Sequence, residues 1–450
     1  MDEASSSGVA HQRDASSSLP TTLLEVDDLD LPPLAKRRKL DHDTKSVKMD
    51  SQIWSRLPDD VIERILSWLP IRNLFTFRCV CKKWKNIVSN PSFLQLCSQA
   101  PNQGPWFVFF LGDDYNTGSS FDPTSNKWYP LTFPSFPGTP QGPVASHGGL
   151  VCFLVEMTDE ENRGLFYMCN PLTKDWIELP RILTDFDKVL LELPCMITDF
   201  DTIVMGIEVN HNTKAYKVVV AGSNPLPELL GDQEVNIEEA DGCIIKAFVY
   251  DSSIPWGWKI SSTLVIEGQF TSKNVMCSGL LYCVTSRPFG LIAFDVAKEV
   301  WIELEVLMPR LLTCCFLIES QGSLMMVGGL GRFGVPTSIH IWRLSPTLQW
   351  VKLEKMPRRL FKDFFKSSPS KSFNCIGSGD LLYFNCNKKS QGVLYDCDRH
   401  SWHAVPPCPL LATNPLTVVR GFCFTPRLDG AVDGHCIPLE DAGLGLDSIS

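Results

Sequence analysis

Residues 121–128 read FDPTSNKW, and this order of residue types governs how the rest of the chain is read. An apolar residue closes a short apolar run. An Asp follows, a residue whose side chain bonds its own backbone in tight turns, and a Trp then opens a new extended segment. The order returns as CNPLTKDW (169–176), the one-residue-longer YDSSIPWGW (250–258), FDVAKEVW (294–301), the divergent RLSPTLQW (343–350) and YDCDRHSW (395–402). Each copy predicts a hairpin led by Asp122, Asn170, Asp251, Asp295 or Asp396, and each sets a Trp against a neighbouring unit: Trp128, Trp176, Trp258, Trp301, Trp350 and Trp402.

Successive Trp residues are 48, 82, 43, 49 and 52 positions apart. A period near 50 is that of kelch-type propeller blades. The expected fold is therefore mainly β, a six-bladed kelch-type β-propeller over 104–428. The 82-residue interval reads as one blade with a long inner loop, because strand texture is present at 203–209 and 216–221. Strand-like runs at 148–152, 278–283, 324–329 and 380–384 are expected to line the centre. The final apolar run, 418–424, is expected to pair with the strand that begins at Trp106 and so remove an open sheet edge. Residues 429–450 read as a flexible tail.

Upstream, 51–99 changes to helical texture. Leu57-Pro58-Asp59-Asp60 is a helix start, with Val61, Ile62, Ile65, Leu66, Trp68 and Leu69 at helical spacing until Pro70. A short second segment carries Leu74, Phe75 and Phe77. A third holds Val80, Cys81, Trp84, Ile87 and Val88 and stops at Asn90-Pro91. Three helices this short have more apolar positions than they can hide in one another, which predicts a partner.

The stretch LPDDVIERILSWLPIRNLFTFRCVCKKWKNIV (57–88) resembles the F-box. The resemblance implies docking of a Skp-type adaptor through Leu57, Pro58, Ile62, Ile65, Leu66, Leu69, Pro70, Leu74, Val80, Cys81 and Trp84. With the repeats behind it, the chain resembles the plant F-box/kelch-repeat proteins. That implies a substrate-recognition subunit of an SCF-type cullin–RING ubiquitin ligase, reaching the cullin through the adaptor and binding a protein target on the propeller, with no catalytic residue of its own. A propeller scaffold that binds partners without promoting their degradation is the alternative.

Composition agrees. The 450 residues suffice for two or three domains at roughly 150 residues each. A net charge of −10 argues against direct nucleic-acid binding, which needs clustered Lys and Arg. No apolar run reaches the length of a membrane span, and MDEASSSGVAHQRD lacks the apolar centre of a secretory signal. Seventeen scattered Cys with no C-x-x-C read as small buried apolar residues. Residues 1–48 read as a disordered tail whose cluster Lys36, Arg37, Arg38 and Lys39 suggests a nuclear as well as a cytoplasmic location.

Two apparent motifs read as structural. GLGRFG (329–334) precedes a strand where a nucleotide site needs a helix, and Cys397, His400, His403 and Cys408 straddle a hairpin, so neither cofactor nor metal is expected. The acidic stretch 228–241 and the basic stretch 352–371 are candidate target contacts on opposite rims, of which the first reads better as a solvated loop. The basic stretch 352–371 reads as a short helix burying Phe361, Phe364 and Phe365 on a blade.

Overall fold

The structure, a computed structural model, describes residues 56–99, 104–111, 114–156, 165–180, 203–225, 242–254, 257–366, 368, 371–386, 391–410 and 419–430. The basic cluster 36–39 and the acidic stretch 228–241 lie outside them, as does nearly all of 429–450. Two compact units divide the chain after Pro58. The described part of the first is Arg56, Leu57 and Pro58, of which Leu57 is half-buried and Pro58 exposed.

The second unit opens with α1 (Asp59–Ser67), α2 (Ile71–Phe77), α3 (Lys82–Val88) and α4 (Pro91–Ser98). The fourth helix departs from the three-helix reading. Pro91 does not end α3 but begins α4, where a missing N–H is harmless, and the Asn90 side chain caps it by accepting the Ser92 N–H at 3.0 Å.

Six four-stranded antiparallel sheets follow, one per signature copy. Blade 1 contains β1 (Trp106–Leu111), β2 (Asp114–Asp122) and β3 (Lys127–Thr132). Blade 2 contains β4 (Thr139–His147), β5 (Leu150–Glu156), β6 (Leu165–Cys169) and β7 (Trp176–Glu178). Blade 3 has β8 (Ile203–Val209), β9 (Tyr216–Pro225), β10 (Gly242–Asp251) and β11 (Trp258–Glu267). Blade 4 has β12 (Gln269–Cys277), β13 (Leu280–Ser286), β14 (Gly290–Asp295) and β15 (Val300–Leu304). Blade 5 runs β16 (Leu312–Ser320), β17 (Ser323–Arg332), β18 (Val335–Leu344) and β19 (Trp350–Lys355). Blade 6 runs β20 (Phe373–Ser378), β21 (Leu381–Cys386), β22 (Val393–Asp396) and β23 (Ser401–Ala404). The last strand, β24 (Val419–Phe424), returns to blade 1 and pairs with β1 over Trp106↔Phe424 to Leu111↔Val419, closing the ring. The 82-residue interval is one blade, β8 to β11, as its strand texture indicates.

The runs expected at the centre are displaced by one strand. Strands β5, β13, β17 and β21 stand second in their sheets, and the ring around the axis is β24, β4, β8, β12, β16 and β20, each touching the next. A second strand is covered on both faces by neighbouring blades and so reads as continuously apolar. An axial strand keeps polar residues, as in QFTSKNVMC of β12, most of which are half-buried.

Each signature side chain makes the expected turn. Asp122 accepts the Thr124 N–H at 3.0 Å, Asn170 that of Leu172 at 3.0 Å, Asp251 that of Ser253 at 2.9 Å, Asp295 that of Ala297 at 3.0 Å and Asp396 that of Arg399 at 2.9 Å. Five of the six signature Trp residues then pack in the seams, while Trp176 meets Phe136 of the connection between blades 1 and 2 and Tyr167 of its own blade. Trp128 lies with Tyr383 and Leu394 of blade 6, Trp258 with Phe166 of blade 2, Trp301 with Ile245 of blade 3, Trp350 with Met326 and Leu291 at the blade 4–5 seam, and Trp402 with Phe361 and Phe364. One copy escaped the sequence reading. VNHNTKAY (209–216) builds the same turn on Asn210, with Tyr216 in the place of Trp, between β8 and β9.

The basic stretch forms α5 (Arg358–Phe364), which buries Phe361, Phe364 and Phe365 between blades 5 and 6. GLGRFG is the end of β17 and its turn into β18. Cys397 packs at the seam of blades 5 and 6 and Cys408 at that of blades 6 and 1, while His400 and His403 are exposed, so the four do not converge.

Candidate functional site

Helix α1 has two apolar faces. Ile62 and Leu66 turn inward and, with Ile71 and Leu74 of α2, Ile87 and Val88 of α3 and Phe93 of α4, form a small buried core. Rotated by one position, Val61, Ile65 and Trp68 recur at i, i+4 and i+7, and all three are exposed. Val80, just before α3, is 59% exposed, Cys81 next to it in the chain is exposed, and so is Pro70 at the start of α2. Trp84 is half-buried and meets Phe77 edge-on at 5.1 Å.

The docking residues read from the sequence therefore occupy different places. Ile62, Leu66 and Leu74 are core. Ile65, Pro70, Val80 and Cys81 are surface, while Leu69 and Trp84 are half-buried. Val61 and Trp68 were not in that set, yet they share the exposed stripe with Ile65. Their spacing from Ile65 was the available signal. Exposed apolar residues in one row on a rigid helix suit association with an apolar groove or helix of another protein, since burial of such area at about 25 cal/mol per Å² is the driving force. Charge borders the stripe: Lys83 pairs with Asp59 at 2.5 Å, near the start of α1.

The helices are fastened to blade 1 by Arg72, which has no motif to announce it. Its guanidinium lies between two rings, 3.7 Å from the Trp106 centroid and 3.8 Å from that of Tyr129, and donates to Ser120 Oγ at 2.7 Å. Asp122 Oδ2 is 3.8 Å from Arg72 Nε. Burial of this cation, only partly offset by Asp122, brings its pKa down to about 10. Arg72 thus connects a helix of the docking region to the turn that begins the propeller signature.

Strand direction separates two propeller faces. The β2–β3 turn contacted by Arg72 lies at one end of blade 1. Connections between blades, and the hairpins joining second to third strands, emerge at the other. Among the described residues, no group of three or more His, Cys, Asp or Glu is placed to hold a metal ion.

Comparison with known proteins agrees with this division of labour. The F-box domain family matches residues 54–96, and the KIB1-4 beta-propeller family matches residues 120–401. The chain is 30% identical over 396 residues to an F-box/kelch-repeat protein of Arabidopsis thaliana, an alignment covering 83% of this chain and 90% of that one. It is 28% identical over 410 residues to Protein UNUSUAL FLORAL ORGANS of Arabidopsis thaliana, covering 84% and 86%. To SKP1-interacting partner 15 of the same plant it is 25% identical over 410 residues, covering 84% and 99%.

Proposed function

Because the chain belongs to the plant F-box proteins built on a KIB1-4 β-propeller, we propose that it is a substrate receptor of an SCF-type cullin–RING ubiquitin ligase. The observation that carries the reading is the exposed stripe Val61, Ile65 and Trp68, with Val80, on a domain whose own core is already filled by Ile62, Leu66, Leu74, Ile87 and Phe93. In this reading the stripe docks a Skp-type adaptor, and one relative is named for its interaction with SKP1. By sequence the same role falls to Leu57 and Pro58 at the start of the motif. The adaptor connects to a cullin, the propeller holds a protein target, and ubiquitin transfer is carried out by other subunits. The cluster Lys36 to Lys39 would direct at least part of the population to the nucleus.

Affinity purification of the tagged chain, with the proteasome blocked and proteins identified by mass spectrometry, tests this. Wild type should bring down adaptor and cullin. Ile65→Asp/Val80→Asp should lose both by more than tenfold while keeping its melting temperature, because truncating or charging a few central interface residues removes most of the binding energy. Leu57→Ala/Pro58→Ala should behave similarly. Adaptor and cullin absent from wild type would count against the receptor and favour a scaffold, whereas adaptor retained equally by all three forms would take the docking role away from these residues.

A further inference from the structure

Blades 4 and 5 present a second apolar surface at the propeller end away from Arg72. The β17–β18 hairpin turns on Phe333 and Gly334, with φ of 54° and 72°, and Phe333 is 99% exposed. A two-residue hairpin with both φ positive is the type that Asn-Gly makes easily, and a bulky residue in its first position is strained. Nothing in the chain's own packing is gained by that Phe. On the neighbouring β15–β16 connection Leu307 is 93% exposed, and Leu311 is 61% exposed with φ of 62°, a second large apolar residue in left-handed backbone. Among the described residues, Phe333 and Leu307 are the two most exposed large apolar side chains.

The two segments are held together. Gly331 N–H donates to Leu311 O at 2.9 Å, and a Cβ on Gly331 would stand 1.9 Å from Val335 O, so the bulge there admits only glycine. Beneath them Val306, Leu312 and Leu330 pack into the seam between blades 4 and 5. The platform is therefore rigid and offers its apolar side chains without rearrangement, which lowers the entropy lost on binding. Its border is cationic. Arg310 and Arg332 flank the apolar tips, and Arg358 and Arg359 begin α5 on the connection to blade 6; all four are exposed and none has an ion pair among the described residues. Glu305 is the exposed carboxylate on the β15–β16 connection.

Building on the receptor reading, we propose that Leu307, Leu311 and Phe333, bordered by Arg310 and Arg332, dock an extended segment of a partner protein in which large apolar side chains alternate with Asp or Glu. Apolar tips on a rigid base supply the buried anchors. The arginines select acidic neighbours and reject basic ones.

The test is selection of a phage-displayed random-peptide library on the full chain bound to its Skp-type adaptor, with counter-selection on Leu307→Ala/Leu311→Ala/Phe333→Ala. Enriched peptides should combine Phe, Leu, Ile, Met or Trp with Asp or Glu. A synthetic consensus peptide should bind Arg310→Glu/Arg332→Glu at least roughly tenfold more weakly than wild type, and more weakly still at high salt. Phe333→Asn should melt no lower than wild type, since Asn accepts the left-handed turn, and yet lose the peptide. A merely structural Phe333 would give the reverse. Absence of enriched peptides, enrichment of basic or uncharged ones, or equal binding to the triple variant would overturn the proposal. So would dimerisation of wild type that disappears in Phe333→Asn, which would give the surface to a second copy. Peptide binding that rises tenfold when 228–241 is replaced by a Gly-Ser linker would give it to that acidic stretch. Failure of wild type to bind the adaptor would sink the receptor reading alone, because the selection can be repeated on the uncomplexed chain.

Discussion

The guanidinium of Arg72 stacks 3.7 Å over the indole of Trp106, fixing a helix of the docking region to the first strand of the propeller. In the proposed receptor this clamp would set how far, and at what angle, a target on the propeller stands from the adaptor. The planar, delocalised cation can face both Trp106 and Tyr129 while one N–H reaches Ser120; an ammonium cannot.

Arg72→Lys should therefore behave as a non-conservative change. We expect a loss of about 2 kcal/mol, the scale of a desolvated cation–π contact, seen as a lower melting temperature in calorimetry, with adaptor affinity unchanged. Ubiquitination of a bound target should slow more than target binding does. Wild-type melting in Arg72→Lys would show that the clamp is not rigid.

Removal of β24 should open and destabilise the ring. All six of its residues pair with β1, so a chain ending at residue 418 leaves an open edge on the ring. Its unfolding in urea should lose cooperativity. Within the closed ring, Trp128 spans the seam to blade 6 and its Nε1–H donates to Pro406 O at 2.8 Å. Trp128→Ala should cost about 3–5 kcal/mol. Trp128→Phe, which keeps most of the packing and loses the hydrogen bond, should cost about 1 kcal/mol plus a smaller packing loss.

Acid should weaken the protein through His340. The ring is stacked on Trp342 at 5.5 Å and lies opposite Lys355 in the sheet; burial, then Lys352 and Lys355, bring its pKa from 6.5 to about 4. The folded state thus holds His340 neutral where the unfolded chain would take a proton. Above pH 6.5 both states are neutral and nothing is lost; between 6.5 and about 4 the unfolded state binds the extra proton and stability falls. His147 and His211, also lowered by burial, act in the same direction. Urea midpoints measured across this range should decline with acid, and His340→Gln should flatten the slope. An unchanged slope would place the sensitivity elsewhere.

Thiol labelling should mark the docking region. Cys79 and Cys81 are exposed, whereas the other described cysteines are buried or half-buried, and burial pushes Cys315 and Cys397 up to about 12 and Cys152 and Cys283 well above the usual thiol range. Among the described residues, brief maleimide treatment mapped by mass spectrometry should modify Cys79 and Cys81 first. Bound adaptor should slow the reaction at Cys81, and equal rates with and without it would remove Cys81 from the interface.

Much of this was legible in the linear chain because its signals are local. An Asx turn closes within a few residues, so the five Asp- and Asn-led copies could be counted by eye, and even the divergent copy ending at Trp350 kept its Trp. The copy led by Asn210 was missed because Tyr216 replaces the Trp that made the others visible. Pro91 was misread because proline ends one helix and begins the next equally well, and only the Asn90 cap decides between them.

By itself, then, the sequence determined the number of blades, the strand that closes the ring and the presence of an F-box, all of which rest on patterns within a few tens of residues. Tertiary structure alone decided which strands face the axis, which face of α1 is core and which is surface, that Arg72 is buried between two rings of blade 1, and that the segments carrying Leu311 and Phe333 are joined through the Gly331 N–H to Leu311 O hydrogen bond. The physical reason is the same in each case. Helical or strand periodicity states that two faces are apolar, but which one is covered depends on the packing of residues dozens of positions away.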